Sequence, residues 1–307
     1  MEQFEAKQTS PKQATAEPNA MALALGKVPP GISPQSAPEA CPSCLAAAHA
    51  MPPSYVYAIG RIEARFPNLA IEKELAQATN RSETAGKTDQ QTFHAVLSER
   101  KNRYLVRQVC WVFTIQGLET YLLQPRDAAD IDLLVDAIRP TPNPGDLDVV
   151  IGHRGPIAPP QICNGLMIPL VAFDQIYSFD RATLIDAIPK PEKTTAAQFR
   201  PAAEELFHRI MQMTDNAGAT DDHRALNYLA MRYPAIYVKA SEQFVRDCSM
   251  ASVEVRPSPL SSTRNIVDVI FSYKNRNSDC CENFSVRVDV TNEFPFLAAK
   301  MSPYVDR

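Results

Sequence analysis

The spacing of the apolar positions changes along the chain, from strand-like runs to helical repeats and back to strand-like runs. Dense aromatic, aliphatic and β-branched runs predict strands, because such residues pack well on a pleated surface. Gln116 and Gly117 separate two of these runs, which therefore predict a hairpin. The strands predicted in this first part lie at 55–62, 103–115, 118–123, 147–152 and 166–176.

Capping residues and helical spacing predict the helices. Asn68 follows a proline and is placed as a helix N-cap. Thr88 and Gln91 have the spacing of a capping box, and Asp127 precedes a run whose apolar residues recur at helical intervals. The helices predicted on this basis lie at 68–78, 88–99, 127–138, 181–188, 202–213, 222–232 and 235–247.

The last part of the chain returns to strands, predicted at 252–256, 265–273 and 283–290. In two of them apolar and polar residues partly alternate, which is typical of antiparallel strands with one face in water. Strands followed by helices and then by strands predict an α+β fold, with antiparallel sheets and packed helices. The change of pattern at Arg181 divides the globular part into two candidate lobes, 54–178 and 181–307.

The first 53 residues differ from the rest, since they hold nine prolines and almost no aromatic or β-branched residues. A segment of this composition cannot bury enough apolar surface to offset the entropy of ordering. We therefore predict a disordered tail at 1–39 and a folded domain at 40–307.

Composition narrows the function classes. The formal net charge is -4, whereas nucleic-acid-binding domains carry a basic excess. The longest apolar runs, such as 166–173, are far shorter than the roughly 20 residues that a membrane helix needs. The N-terminus lacks the basic and apolar regions of a signal peptide, so we expect a cytoplasmic protein with no nucleic-acid or membrane partner.

The seven cysteines are read as a reduced thiol set, as expected in the cytoplasm. Cys41 and Cys44 are three residues apart, a spacing that lets two thiolates hold one zinc ion. Cys110 and Cys163 are the candidates for the remaining ligands of a closed structural zinc site, with His49 or His153 as substitutes. A pair of free thiols and a redox pair remain alternatives for Cys41 and Cys44.

No catalytic residue is predicted. The sequence has no G-x-S-x-G, Walker A, H-E-x-x-H, EF-hand or dinucleotide-binding pattern. Its five histidines are isolated from one another. Cys163 precedes Asn164 and Gly165 in a loop, but a catalytic cysteine needs a histidine close in space. An accessory or binding role is therefore favoured over catalysis.

Nine stretches, together with the Cys41-Pro-Ser-Cys44 motif, resemble the C-terminal domain of the patellamide-type cyanobactin maturation proteases. The resemblance covers roughly residues 41–307. The stretches are YVYAIGRIEARFP at 55–67, IEKE at 71–74, QPRD at 124–127, AIRPTP at 137–142, DVVIG at 148–152, CNGLM at 163–167, FDQIYSFD at 173–180, DNAGATD at 215–221 and ALNYLA at 225–230.

The resemblance implies a domain attached to, or partnered with, enzymes that cleave and macrocyclise ribosomally made peptides. The subtilisin-like protease of those proteins is a separate domain, and no stretch of this chain matches it. We therefore expect a non-catalytic accessory domain that binds the precursor peptide or a processing protease. The alternatives are a peptide-modifying enzyme that uses a cysteine or a metal-bound water, and a structural module that forms a homodimer.

Overall fold

A computed structural model of the chain describes residues 54–81, 86–191, 194–213, 215–278 and 280–305. All of them lie in one unit of the chain, residues 50–307. The predicted disordered tail at 1–39 lies outside the described residues, as do Cys41 and Cys44.

The first five strands close into a barrel in the order β1-β2-β3-β5-β4. Strands β3 and β5 are parallel, and the other four pairs are antiparallel. Gln116 and Gly117 both have positive φ at the predicted hairpin turn between β2 and β3. The strands are β1 (Tyr55–Arg65), β2 (Cys110–Ile115), β3 (Leu118–Pro125), β4 (Asp146–Ile157) and β5 (Pro169–Asp180).

Four helices pack against one face of the barrel strands, and the helices and these strands share a buried core. The capping box at Thr88 and Gln91 is present as predicted, and Asn68 accepts a hydrogen bond from the amide of Ile71 at 3.1 Å. These helices are α1 (Leu69–Arg81), α2 (Asp89–Ser98), α3 (Arg103–Val106) and α4 (Ile131–Ala137).

The second half of the chain forms four helices and an antiparallel sheet of order β6-β7-β8-β9. Both pack on the opposite face of β1 and β4, where Tyr57 and Ile151 belong to a shared core. The elements are α5 (Arg181–Asp186), α6 (Ala196–Met211), α7 (Asp221–Arg232), α8 (Ala235–Val245), β6 (Cys248–Pro257), β7 (Ile266–Asn275), β8 (Cys281–Asp289) and β9 (Phe296–Pro303).

The α+β prediction is confirmed. The barrel lies within residues 55–180 and the second sheet within 248–303, and the division into lobes 54–178 and 181–307 stays a prediction. No helix in the described part of the chain has the length and apolar character needed to cross a membrane.

One local prediction is wrong, and one strand was missed. Residues 103–115 were predicted as one strand, but 103–106 form a turn of helix and 107–109 a loop. Leu105 and Val106 are buried in this helical turn. Short apolar runs cannot be assigned to helix or strand by periodicity alone. Strand β9 was not predicted, since it is an edge strand in which no residue is fully buried and its apolar pattern is weak.

A buried polar network ties one end of β4 to its neighbours. The Asp148 carboxylate accepts hydrogen bonds from the amide of Ile62 at 2.8 Å and from the Ser178 hydroxyl at 2.6 Å. Arg139, which follows α4, pairs with the same carboxylate at 3.2 Å. We call Ile62, Arg139, Asp148 and Ser178 the Asp148 network. It connects Arg139 of the AIRPTP stretch with Asp148 of the DVVIG stretch.

Candidate functional site

A groove of about 660 Å³ opens on the barrel beside the start of β2 and the end of β3. Val109, Leu122 and Leu134 contribute buried apolar side chains to its lining. The exposed part of the lining is polar except for Ala128; its polar residues are Asn68, Arg107, Gln108, Gln124, Arg126 and Gln161. The groove therefore combines an apolar floor with a rim of amides and guanidinium groups.

A disulfide between Cys110 and Cys163 forms part of the groove lining. It links the first residue of β2 to a short turn in which Cys163 and Asn164 both have positive φ. The expectation of a wholly reduced thiol set is therefore wrong for this pair. Cys110 is buried at the start of β2, and Cys163 lies outside the strands, in keeping with its predicted place in a loop.

The structure brings together two of the four predicted zinc ligands. Cys110 and Cys163 are neighbours, but sulfurs joined to each other are not the thiolates that zinc binds. Cys41 and Cys44 lie outside the described residues, and so does His49. The four-cysteine zinc site thus stays a prediction, and it requires the Cys110–Cys163 bond to be reduced.

His153, the other substitute zinc ligand, lies in a cluster of charged side chains beside the groove. Its Nε2 atom is 3.3 Å from a carboxylate oxygen of Glu293 and 4.0 Å from one of Asp174. The Nη1 atom of Arg126, a residue that also lines the groove, is 3.0 Å from His153 Nε2 and 3.0 Å from Asp174 Oδ1. We call these four residues the His153 cluster.

A β-bulge brings Asp174 towards His153. In the β4–β5 pairing Ile151 lies opposite Gln175 and Gly152 lies opposite Phe173, so Asp174 is the extra residue. An extra residue in one strand re-aims its side chain. Gly152 permits this bulge, because a Cβ at that position would lie 2.3 Å from the backbone oxygen of Ala172.

Arg224 holds the loop that carries Glu293. Its buried guanidinium donates hydrogen bonds to the backbone oxygens of Val290 at 2.8 Å, Asn292, and Glu293 at 3.3 Å. The same guanidinium lies 5.1 Å from the centre of the Tyr55 ring. The loop between β8 and β9 is thereby fixed against the barrel by a residue of α7.

The His153 cluster holds two carboxyl groups but only one arginine. Burial first, and then neighbouring Asp174, raise the pKa of Glu293 to about 7 against the opposing charge of Arg126. Among the described residues, Glu293 Oε1 is one of the buried side-chain oxygens that lack a hydrogen-bond partner. Two carboxyl groups and an imidazole thus face one another with one guanidinium between them, an arrangement that can bind a proton or a cation.

Sequence reasoning found one member of this cluster and missed three. His153 was named only as a substitute ligand, and Arg126, Asp174 and Glu293 were not singled out as site residues. Arg126 and Asp174 do lie in two of the stretches that carry the family resemblance, QPRD and FDQIYSFD. Glu293 lies far along the chain, and only the fold places it beside β4.

Comparisons with known proteins agree on the type of domain. The family model described as PatG Domain matches residues 55–256. A solved structure titled "PatG Domain of Unknown Function" superposes with a TM-score of 0.67 at 17% sequence identity, covering 82% of this chain and 98% of that chain. At this identity the superposition shows a shared fold. No curated protein matches the chain.

Proposed function

This chain belongs to the PatG domain family, and on that premise we propose that it is an accessory domain in cyanobactin-type peptide maturation. Its role is to bind an extended segment of the precursor peptide or of a processing protease. The groove beside β2 and β3 is the binding surface. The domain itself makes and breaks no peptide bond.

The observation that supports this proposal is the chemistry of the groove. Its volume of about 660 Å³ holds several side chains of an extended peptide, and its floor is apolar. Ligand sites combine an apolar lining with a few polar groups that fix orientation. The amide of a glutamine can both donate and accept hydrogen bonds, so Gln108, Gln124 and Gln161 can pair with the backbone of a bound peptide.

The groove is also prepared for a ligand before the ligand arrives. The Cys110–Cys163 disulfide fixes one part of its lining, and the buried indole of Trp111 donates a hydrogen bond to the oxygen of Val106 at 2.9 Å. A surface that is ordered in advance loses less entropy on binding.

The enzymatic alternative depends on Cys163 or on a metal-bound water. A cysteine acts as a nucleophile only as a thiolate, and Cys163 is bonded to Cys110. The observed geometry therefore favours a binding role over cysteine catalysis.

Titration calorimetry of the full chain with a cyanobactin precursor peptide tests the proposal. We expect saturable binding and no change in peptide mass after prolonged incubation. Replacing Gln108 and Gln124 together with alanine should weaken binding roughly fivefold or more, because two hydrogen bonds are lost. Gln175→Ala is the matched control, since that glutamine is exposed on β5 but does not line the groove.

Three outcomes count against the proposal. A changed peptide mass supports the enzymatic alternative. Concentration-dependent oligomerisation without peptide binding supports the structural module. Equal loss of affinity in the control and in the groove variant places the peptide elsewhere.

A further inference from the structure

We propose that His153, Asp174 and Glu293 form a binding site for a first-row divalent transition-metal ion. This inference does not depend on the proposed peptide binding, nor on the predicted four-cysteine zinc site. It depends on the positions of three donor atoms from three separate parts of the fold.

The donor atoms have the spacing of ligands around one ion. One nitrogen of His153 and one carboxylate oxygen from each acidic residue all lie within 4.8 Å of one another. Ligands bound tetrahedrally at zinc-like bond lengths of about 2.1 Å are about 3.4 Å apart. The 3.3 Å separation of His153 Nε2 and Glu293 Oε2 matches this value, and the 4.0 Å separation to Asp174 Oδ2 needs only a small side-chain movement.

The lone pair of His153 already points into the cluster. An arginine guanidinium has only donors, so Arg126 Nη1 must donate to His153 Nε2 across their 3.0 Å contact. In the tautomer that accepts this bond, the lone pair of Nε2 faces the cluster. Neutral imidazole is the form that binds metals, and the Nε2 lone pair becomes available to an ion once Arg126 turns away.

The buried oxygen of Glu293 supplies an independent indication of a missing partner. The Glu293 side chain is 13% exposed, and Oε1, the oxygen next to the proposed ligand atom Oε2, is buried without a hydrogen bond, so an ion bound through both oxygens would satisfy it. An unsatisfied buried carboxylate oxygen is costly, and Asp174 adds a second negative charge beside it. One divalent ion would compensate both carboxylates at once.

Arg126 would have to give up its place to the ion. Its guanidinium contacts the same His153 and Asp174 atoms, but its side chain is 55% exposed and can turn into solvent. The arginine and the metal are therefore competitors. Removing the arginine should leave affinity for the metal unchanged or higher.

The donor set selects the class of ion. Imidazole suits Zn²⁺, Co²⁺ and Ni²⁺, whereas Ca²⁺ and Mg²⁺ prefer a larger set of oxygen donors. Three protein ligands leave at least one coordination position open in a tetrahedral site.

The test uses the full chain in its oxidised form, with Cys41→Ser and Cys44→Ser as background, and Co²⁺ as the only probe. The two serines remove the thiols of the competing zinc prediction. We expect the visible spectrum of tetrahedral or five-coordinate cobalt without a thiolate charge-transfer band. Asp174→Asn and Glu293→Gln should each weaken binding at least tenfold, and Arg126→Ala should not weaken it.

Glu242→Gln, on the surface of α8, is the control and should bind cobalt as the background protein does. Thermal melting of each variant without metal separates loss of the site from loss of the fold. Equal cobalt affinity in the background protein and in the Asp174→Asn/Glu293→Gln double variant would overturn the proposal, as would no binding by a folded background protein.

Discussion

The paired strands β4 and β5 carry two polar clusters, the Asp148 network and the His153 cluster. Both contain carboxylates and an arginine, but they differ in burial and in how fully their polar atoms are hydrogen-bonded. In the Asp148 network the Asp148 carboxylate meets an arginine, a hydroxyl and a backbone amide, and the same arginine also pairs with Asp146 at 3.4 Å. In the His153 cluster, five residues further along β4, two carboxyl groups and an imidazole share one arginine. The first cluster is buried around Asp148, and every member of the second is half-buried or exposed.

Their pKa values show the same contrast. Burial raises the pKa of Asp148, but Ser178, Ile62 and Arg139 all act to lower it. For Glu293, burial and Asp174 raise the pKa, and the charges of Arg126 and Arg224 oppose them without a hydrogen-bond donor such as Ser178. A polar group that serves the fold is satisfied by its neighbours, whereas one that is left unsatisfied is a candidate for binding something else.

We expect the Cys110–Cys163 disulfide to contribute most to stability at the end of the barrel that carries the groove. Replacing Cys110 and Cys163 with serine opens a loop with a sequence separation of 53. Loop-closure entropy then predicts a loss of about 4 kcal/mol in the free energy of unfolding. Chemical denaturation of the oxidised protein and of the double variant measures the difference. Equal stability would mean that this end of the barrel is held by packing alone.

Asp148→Asn tests the contribution of the Asp148 network to stability. The substitution keeps the shape of the side chain but removes the charge that Arg139, Ser178 and the amide of Ile62 all contact, and it leaves Arg139 only Asp146, at 3.4 Å, as an anionic partner. Since several hydrogen bonds to a charged group are weakened together, we expect a loss of about 3 kcal/mol. Denaturant unfolding measures it. Asp174→Asn is the matched change in the His153 cluster, and it should lower the free energy of unfolding by less than about 1 kcal/mol. Equal losses would remove the distinction between the two clusters.

Gly152→Ala tests the bulge that separates the clusters. A Cβ there would lie 2.3 Å from one backbone atom of β5 and 2.6 Å from another, so we expect a loss of about 2 kcal/mol and weaker cobalt binding. Gly155→Ala is the control, because its Cβ would meet nothing nearer than 3.5 Å. Unfolding and cobalt titration of both variants give the comparison. Undiminished cobalt binding by Gly152→Ala would show that the bulge does not position Asp174.

Glu293→Gln should change the free energy of unfolding least of these substitutions. The direction of the change shows whether the Glu293 carboxylate stabilises the fold. Without metal, the amide removes one of two adjacent carboxyl groups, so the free energy of unfolding at neutral pH should rise by up to about 1 kcal/mol. Differential scanning calorimetry in the presence of a chelator measures it. A loss of stability instead would show that the Glu293 carboxylate serves the fold.

The strands and helices were largely predictable because their signals are local. The capping box at Thr88, the turn at Gln116 and Gly117, and the run after Tyr55 each lie within a few residues. The barrel closure was not predictable, since it depends on the parallel pairing of β3 with β5 across 43 residues, 126–168, that contain β4.

The candidate site was harder to predict for the same reason. Asp174 faces His153 only because a bulge adds one residue to β5, and Gly152 gives a weak sign of it in the sequence. Glu293 reaches the cluster because Arg224, 69 residues earlier, bonds its backbone. The disulfide was missed because no local pattern relates Cys110 to Cys163, although both were expected to face one metal ion.

Hydrogen–deuterium exchange of the full chain with and without saturating precursor peptide tests the central claim, that the groove is a peptide-binding surface. The account predicts slower exchange at residues 106–111, 122–126 and 161–163, which line the groove, and unchanged exchange in the second sheet at 248–303. Unchanged exchange along the groove, or slowing confined to the second sheet, would contradict it.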